Sequence, residues 1–378
     1  MSTVFPQRAR HAPGARGVAF PTSTPALRRL AEMIYLRVYN GLGAGEYESL
    51  GLGRRSLSWA EKREFVGKRW YAAMIDGINP PEFRIAAWNK VVTGAILRAF
   101  SLPSPRIYGT VSPANGTACD GQPLRTSTDL AALIERFALQ RACFKLVGGW
   151  SGRGFMDVTF EAVADGGIVV HVSGEDRALD LDRFWSERIE NLENSGASLR
   201  QRQFGYFCQA RVDSHPDIAA FNPPSLNTLR VWMAQRRRGQ WTMEGTVLRM
   251  GTGEMAVDNG AAGGIGSPVA PDTGILGPAV RRGRRGIEYA RFDHHPSSGL
   301  PISGARVPHW DAVAPLCRQA CAAFPYFRFM GIDVAVTPSG PIVIEVEADP
   351  HQSHQAHLGR GMRSLLIDLA RASYRDQH

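Results

Sequence analysis

The sequence predicts an α+β protein. Three observations carry that prediction. Helical patterns fill most of the first hundred residues, strand runs alternate with helices from Ile107 onward, and the strand runs that can be paired pair as antiparallel hairpins.

The helices come first. Residues 1–22 hold arginines, prolines and Ser/Thr but no acidic residue, and read as a mobile basic tail. A helix is expected to open at Ser23 or Thr24 with Pro25 in its first turn, carrying Leu27, Leu30, Ile34 and Val38 on one face. The glycine-rich run from Gly41 to Gly53 reads as a linker. Ser58 and Glu61 form a capping box for a second helix. A third helix is expected from Phe83 to Phe100, ended by Pro103 and Pro105.

Strands follow. Ala142–Val147 runs into a loop with four glycines, and Met156–Phe160 returns from it. Leu229–Ala234 and Trp241–Arg249 read as an antiparallel pair turning at Arg236–Gly239. Helices are expected at Leu130–Leu139, Ala312–Phe324 and Gly361–Ser373. Near the C-terminus Ile332, Val334 and Val336 alternate with polar or small residues, as do Ile342, Ile344 and Val346, which is the period of half-buried strands. A three-residue loop closed by Gly340 would pair Thr337 with Pro341 and set Asp333 opposite Glu345, with Glu347 on the same face.

That hairpin bears chemistry. Three carboxylates on one face repel, and a cation resolves the conflict. Carboxylate oxygens suit Mg²⁺, especially one that also carries substrate phosphates. A solvent-facing acidic rim is the plainer reading.

Composition bounds the rest. The hydrophobic fraction of 44% is that of a globular chain. No apolar run approaches the roughly 18 residues of a membrane span, and no secretory leader is expected. Five cysteines without metal-site spacing fit a reducing cytoplasm. The net charge of +9 comes from 40 arginines and only four lysines against 35 acidic residues. In that background each lysine marks a candidate place where a compact ammonium serves better than a planar fork. Lys62 and Lys68 are expected to be surface residues that arginine can replace, whereas Lys90 and Lys145 sit in chemistry-bearing segments.

Lys145 precedes Gly148, Gly149, Gly152 and Gly154, whose backbone amides can approach a phosphate. An ordinary hairpin turn is the alternative. Arg230 and Arg249 on the paired strands can grip phosphate or carboxylate if they share a cleft. The loop Asp258-Asn259-Gly260 with Gly263-Gly264 offers a metal or phosphate contact, or a plain turn. His351, His354 and His357 recur at threes, which fits zinc less well than polar contacts or a helix-start loop. Arg281, Arg282, Arg284 and Arg285 read as an exposed loop steering an anionic substrate, and no nucleic-acid module accompanies them.

In order, these segments resemble the ATP-grasp superfamily, most of all its sugar-transfer-associated branch, with a weaker likeness to ribosomal S6–glutamate ligases. The likeness covers residues 85 to 370. It implies two α+β subdomains clasping ATP, at 85–205 and 206–378, behind a helical region at 23–84. Lys90 is similar to the family's first ATP-contacting lysine. Lys145, Gly149, Ser151, Gly152 and Gly154 are similar to its second lysine and phosphate-covering loop. Gln209, Ala210 and Val212 resemble the hinge strand that meets adenine. The resemblance makes Arg230, Arg249 and Asn259 the catalytic set and Asp333, Glu345 and Glu347 the Mg²⁺ ligands.

Glu347 stands where the family usually has Asn. The implied reaction is ATP- and Mg²⁺-dependent ligation. A small-molecule or peptide carboxylate is activated as an acylphosphate and attacked by an amine or other nucleophile, in sugar-polymer or peptide biosynthesis. A phosphotransferase, or a non-catalytic nucleotide or nucleic-acid binder, are the alternatives.

Overall fold

The computed structural model describes residues 18–19, 25–149, 152–164, 166–253, 258, 260, 263–283 and 289–377. Its helices begin with α1 (Ala26–Asn40), α2 (Ala44–Ser49), α3 (Trp59–Lys62), α4 (Lys68–Ile78), α5 (Ile85–Trp88) and α6 (Lys90–Ala99). Strands run in chain order as β1 (Val18–Ala19), β2 (Ile107–Val111), β3 (Thr117–Ala118), β4 (Arg141–Leu146), β5 (Met156–Ala162), β6 (Ile168–Val172), β7 (Leu179–Asp180) and β8 (Tyr206–Ala210). They continue as β9 (Thr228–Arg237), β10 (Gln240–Met250), β11 (Ile265–Pro268), β12 (Ala279–Arg281), β13 (Ala290–Phe292), β14 (Phe329–Thr337) and β15 (Gly340–Glu347).

The chain divides into two units. One comprises Met1–Phe83, Ser214–Pro341 and Glu347–His378; the other comprises Arg84–Asp213 and Ile342–Val346. Among the described residues the first carries the strands β1-β13-β12-β11-β10-β9-β14 of an eight-stranded sheet whose last strand, β15, gives Ile342–Val346 to the second unit, and the second carries a seven-stranded sheet in the order β3-β2-β8-β4-β5-β6-β7. These strand pairs are antiparallel, as the hairpin-rich sequence predicts.

In the second unit, the buried side chains of β4, β5, β6 and β8 meet Leu130 and Leu133 of the helix Ser127–Arg136, along with Phe184 and Trp185. Each fully buried Leu or Phe contributes about 1.5–3 kcal/mol. The expected helix from Phe83 to Phe100 is broken. Asn89 leaves helical geometry and caps α6, its Oδ1 accepting from the Val91 and Val92 amides at 3.0 and 3.2 Å. Lys90 therefore opens a helix instead of lying inside one.

In the first unit, β14 is buried along its whole length, not on one face as its alternation implied, because the helix Trp310–Ala322 packs against it as well as the neighbouring strand β9. The helices near the N-terminus belong to this unit. Asn79, at the end of α4, is fully buried and makes bonds through both amide atoms. Its Nδ2 donates to the Phe329 carbonyl at 2.5 Å and to the Ala348 carbonyl, and its Oδ1 accepts from the Arg328 and Phe329 amides at 2.8 and 3.2 Å. Tyr71 donates to the Pro350 carbonyl at 2.7 Å. These bonds fix the chain on both sides of the acidic hairpin.

Several expectations are corrected. The Gly41–Gly53 run is not a linker: it contains α2, and Leu42, Tyr47, Leu50 and Leu52 form a core with Leu36 and Phe65. Gly41 and Gly51 serve close packing. Gly41 ends α1 at φ 66°, and a Cβ on Gly67 would lie 2.2 Å from the Gly41 carbonyl oxygen. Most of the tail lies outside the described residues, but Val18–Ala19 pair with β13. The face of α1 bearing Leu27, Leu30, Ile34 and Val38 is exposed, and Glu32, Leu36 and Asn40 are the buried side. Pro338 and Ser339 lie between β14 and β15, and Asp333 and Glu347 share a face, as expected, since both meet Arg230. Arg281 and Arg282 are partly buried, while Arg284 and Arg285 lie outside the described residues.

Lys62 is not a surface lysine. It is 3% exposed and donates to Glu32 Oε2 at 2.7 Å, where the Tyr47 hydroxyl also donates at 2.8 Å. Burial raises the Glu32 pKa, but the bonds from Lys62, Tyr47 and Arg28 outweigh it and hold the carboxyl below its ordinary range. Lys62→Met should therefore destabilise the protein by roughly 3 kcal/mol, the low end for a broken buried pair, because Tyr47 and Arg28 still serve Glu32. Lys68→Arg, at an exposed position, should change nothing. Equal thermal midpoints for wild type and Lys62→Met would contradict this.

His354 and His357 are also buried, with their Nδ1 atoms 3.3 Å apart, in a 3-10 turn (Gln352–His354) and a short helix (Gln355–Leu358). Burial and then nearby arginines push both imidazoles down, His354 well below its usual value and His357 to about 3. A histidine neutral when folded takes up its proton first in the unfolded chain. Stability should thus be complete above the ordinary pKa of about 6.5 and fall as pH drops toward the folded values. Denaturant midpoints measured from pH 7 to 4 should decline across that range. A flat profile would show that these imidazoles are not held neutral.

Candidate functional site

Strand register builds the first cluster. β9 lies between β10 and β14, and directly paired residues share a face. Asp333 pairs with Arg230, Arg249 pairs with Thr228, and Thr228 and Arg230 are two residues apart. Two arginines, an aspartate and a threonine therefore stand together on one face.

The contacts follow from that register. Arg230 holds Asp333 through Nε and through Nη2 at 3.1 Å. It also holds Glu347 through Nη1 and through Nη2 at 2.7 Å. One guanidinium thus grips two carboxylates, each bidentately. Arg249 Nη2 donates to Asp333 Oδ2 at 2.7 Å and to Thr228 Oγ1 at 2.5 Å. Thr228 in turn donates to Asp258 through its amide at 2.9 Å and through its hydroxyl at 2.5 Å. The side chains of Arg230 and Asp333 are only 4% and 7% exposed, while that of Glu347 is 28% exposed.

Burial raises the Asp333 pKa, but Arg230 and then Arg249 reverse the effect and hold the carboxyl below its ordinary value. At Asp258 burial prevails over Arg249 and Thr228, and the pKa is raised. The sequence places Asp258 in a loop offering a metal or phosphate contact but gives its side chain no role of its own; Asn259 lies outside the described residues. The crowding of carboxylates expected on the hairpin is thus relieved by the chain's own arginines. Removing Asp333 would accordingly leave a buried guanidinium short of a partner rather than relieve repulsion.

The second cluster is built on α6, β4 and β8. Lys145 pairs with Phe207 and Cys143 with Gln209. Lys90, Lys145, Phe207, Gln209 and Glu345 line a common cavity. Lys90 Nζ lies 2.8 Å from Glu345 Oε1 and donates to the Gly149 carbonyl at 2.6 Å. Gly152 and Gly154 take positive φ of 70° and 69°, and β5 follows the loop, so the lysine does precede a glycine turn between two strands. Ser151 lies outside the described residues. The Ala210 amide donates to the Arg106 carbonyl at 2.8 Å, and Gln209 pairs with both β2 and β4; Val212 lies just beyond β8.

Both clusters fit the groups that the sequence reading implies. Two lysines beside a buried amide have the charge and hydrogen-bonding groups for a phosphate, although the cavity between them is only about 10 Å³ and Phe207 is buried. Asp333 and Glu347 supply hard oxygens directed at one positive centre, and Mg²⁺ commonly takes one or two carboxylates plus substrate phosphates. Among the described residues no three His, Cys, Asp or Glu side chains are grouped to hold a metal by themselves, and this includes the histidines at 351, 354 and 357.

The family described as sugar-transfer associated ATP-grasp matches residues 71–370. A search of curated proteins finds no match. Among solved structures, a biotin carboxylase–β,γ-ATP complex from Campylobacter jejuni has a TM-score of 0.46 and 9% identity, covering 78% of this chain and 48% of that one. ATP-grasp ligase PsnB, complexed with a phosphomimetic minimal precursor, Mg and ADP, has a TM-score of 0.38 and 15% identity, covering 80% and 62%. D-alanyl-alanine synthetase A from Vibrio cholerae O1 has a TM-score of 0.42 and 11% identity, covering 79% and 68%. The chain thus spans 48% and 62% of the length of the first two. The family match extends over most of the sequence and includes both clusters, and the chain belongs to the sugar-transfer associated ATP-grasp family.

Proposed function

We propose that this protein is an ATP- and Mg²⁺-dependent carboxylate ligase. One observation carries the reading: every carboxylate assigned to the metal is paired with a cation assigned to phosphate or phosphoryl. Asp333 and Glu347 are held by Arg230, and Glu345 by Lys90. Such pairs exchange readily for a cation and a polyphosphate that arrive together.

Lys90 and Lys145 serve as point charges for the phosphates, with Gly149, Ser151, Gly152 and Gly154 supplying backbone amides. Gln209, Ala210 and Val212 meet the base. Asp333, Glu345 and Glu347 would hold Mg²⁺, which offsets charge on the phosphate oxygens. Arg230 and Arg249, with Asn259, stabilise the phosphoryl group in transfer.

The acid's carboxylate oxygen attacks the γ-phosphorus, giving an acylphosphate and ADP. A nucleophilic acceptor then attacks the acyl carbon and phosphate leaves. The family's description favours an acid and acceptor from sugar-polymer assembly, peptide assembly is the alternative, and the use of ATP favours the cytoplasm.

ADP release should require an acid and an amine or other nucleophile together. Glu345→Gln should lower that rate on the order of 100-fold, and Lys145→Arg should raise KM for ATP about tenfold while charge is kept. ADP formation from a hydroxyl compound alone, with a phosphorylated product, would replace the ligase reading with a phosphotransferase. Wild-type rates in both variants would remove these residues from the site.

A further inference from the structure

Helix α1 turns its apolar side chains away from the protein. At roughly 100° per residue, Leu27, Leu30, Ile34 and Val38 fall within an arc of about 80°. They are 84%, 55%, 58% and 70% exposed. The opposite side, Glu32, Leu36 and Asn40, is the buried one. A surface helix normally shows the reverse arrangement, so the stripe is not explained by the fold.

Three features define what would cover it. The first is charge. Residues 1–40 contain six arginines, Arg8, Arg10, Arg16, Arg28, Arg29 and Arg37, and one acidic residue, Glu32. Glu32 is buried and paired with Lys62 and Arg28, and Arg29 pairs with Glu48, so within α1 the charge beside the stripe is that of Arg37. The second is the aromatic flank. Tyr35 lies 4.5 Å from Tyr39 and meets Trp59 edge-on at 5.0 Å, ring centroid to ring centroid. The third is length. At about 1.5 Å per residue the stripe runs for roughly 16 Å along the helix, continuous and without a polar interruption. A second copy of this chain would bring its own arginines against these, which disfavours self-association. Aliphatic, aromatic and guanidinium groups side by side match the acyl boundary, the headgroup layer and the phosphates of an anionic bilayer.

We propose that α1 docks in the plane of an anionic membrane surface, with Leu27, Leu30, Ile34 and Val38 inserted at the acyl boundary. The association is peripheral: among the described residues no helix is long and apolar enough to cross a membrane. It is independent of the ligase reading.

The test is co-sedimentation of the full chain with phosphatidylcholine vesicles, with and without a quarter phosphatidylglycerol. Wild type should bind the anionic vesicles at least tenfold more tightly than the neutral ones. Leu30→Ser/Ile34→Ser should lose at least tenfold in binding to anionic vesicles and keep the wild-type thermal midpoint, since both positions are exposed. Neutral serines separate loss of apolar contact from charge repulsion. Equal binding by wild type and the double variant would overturn the proposal, as would no binding to anionic vesicles at low salt. A concentration-dependent dimer that the double variant abolishes, without vesicle binding, would assign the stripe to a second copy and also overturn it.

Discussion

The guanidinium of Arg230 is the interaction on which the candidate site depends. It is buried, and it joins Asp333 on β14 to Glu347 at the end of β15. A buried charge is tolerable only when its hydrogen-bonding groups and its charge are both answered. Arg230 meets that condition by binding both carboxylates in a fork, and Arg249 takes the remaining side of Asp333. Thr228 then links Arg249 to Asp258. The result is a chain of alternating charges drawn from four strands, β15, β14, β9 and β10, and ending on the loop residue Asp258. Asn79 and Tyr71 fix the backbone near both ends of that hairpin, so helices whose sequence named no function still position the carboxylates.

The same device recurs at Lys90 and Glu345. In each cluster a group suited to a metal is neutralised by a group suited to phosphate. A site built in this way is electrostatically closed to either ion alone. A metal entering by itself strands a guanidinium or an ammonium, and a polyphosphate entering by itself strands a carboxylate. Glu347, in the place of the family's usual Asn, strengthens this closure, because an amide would leave Arg230 with one anionic partner fewer. Extra negative charge at that position is therefore matched inside the protein and is compatible with an intact site.

Much of this was legible in the sequence because it rests on short-range patterns. Period-two alternation located β14 and β15, strand runs located β4, β9 and β10, and Ser58 with Glu61 marked a helix start whose capping bonds are present. The order of Lys90, Lys145, Arg230, Arg249 and the acidic hairpin was sufficient for the family. What escaped depends on tertiary partners. Lys62 could not be distinguished from a surface lysine, because its burial arises from Glu32, thirty residues away. The Gly41–Gly53 run counts as a linker by composition, yet Leu42, Tyr47 and Leu50 are core, and Gly41 and Gly51 admit Trp70 and the Tyr289 ring at close range. Asp258 is an isolated acid in a loop, and only the pairing of β9 with β10 gives it Thr228 and Arg249 as partners. Asn89 was a visible signal: an Asn within an apolar helical run is as good a cap as it is an interior residue, and here it caps.

The central claim is that carboxylates and cations in these clusters are mutually neutralised, so that metal and nucleotide must enter together. Calorimetric titration of a non-hydrolysable ATP analogue, with Mg²⁺ at millimolar concentration and again with chelator, tests it most directly. The account predicts that Mg²⁺ tightens the analogue on the order of 100-fold, about 2.7 kcal/mol of coupling, and that the analogue tightens Mg²⁺ by the same factor. Equal affinity for the analogue with and without Mg²⁺ would contradict it.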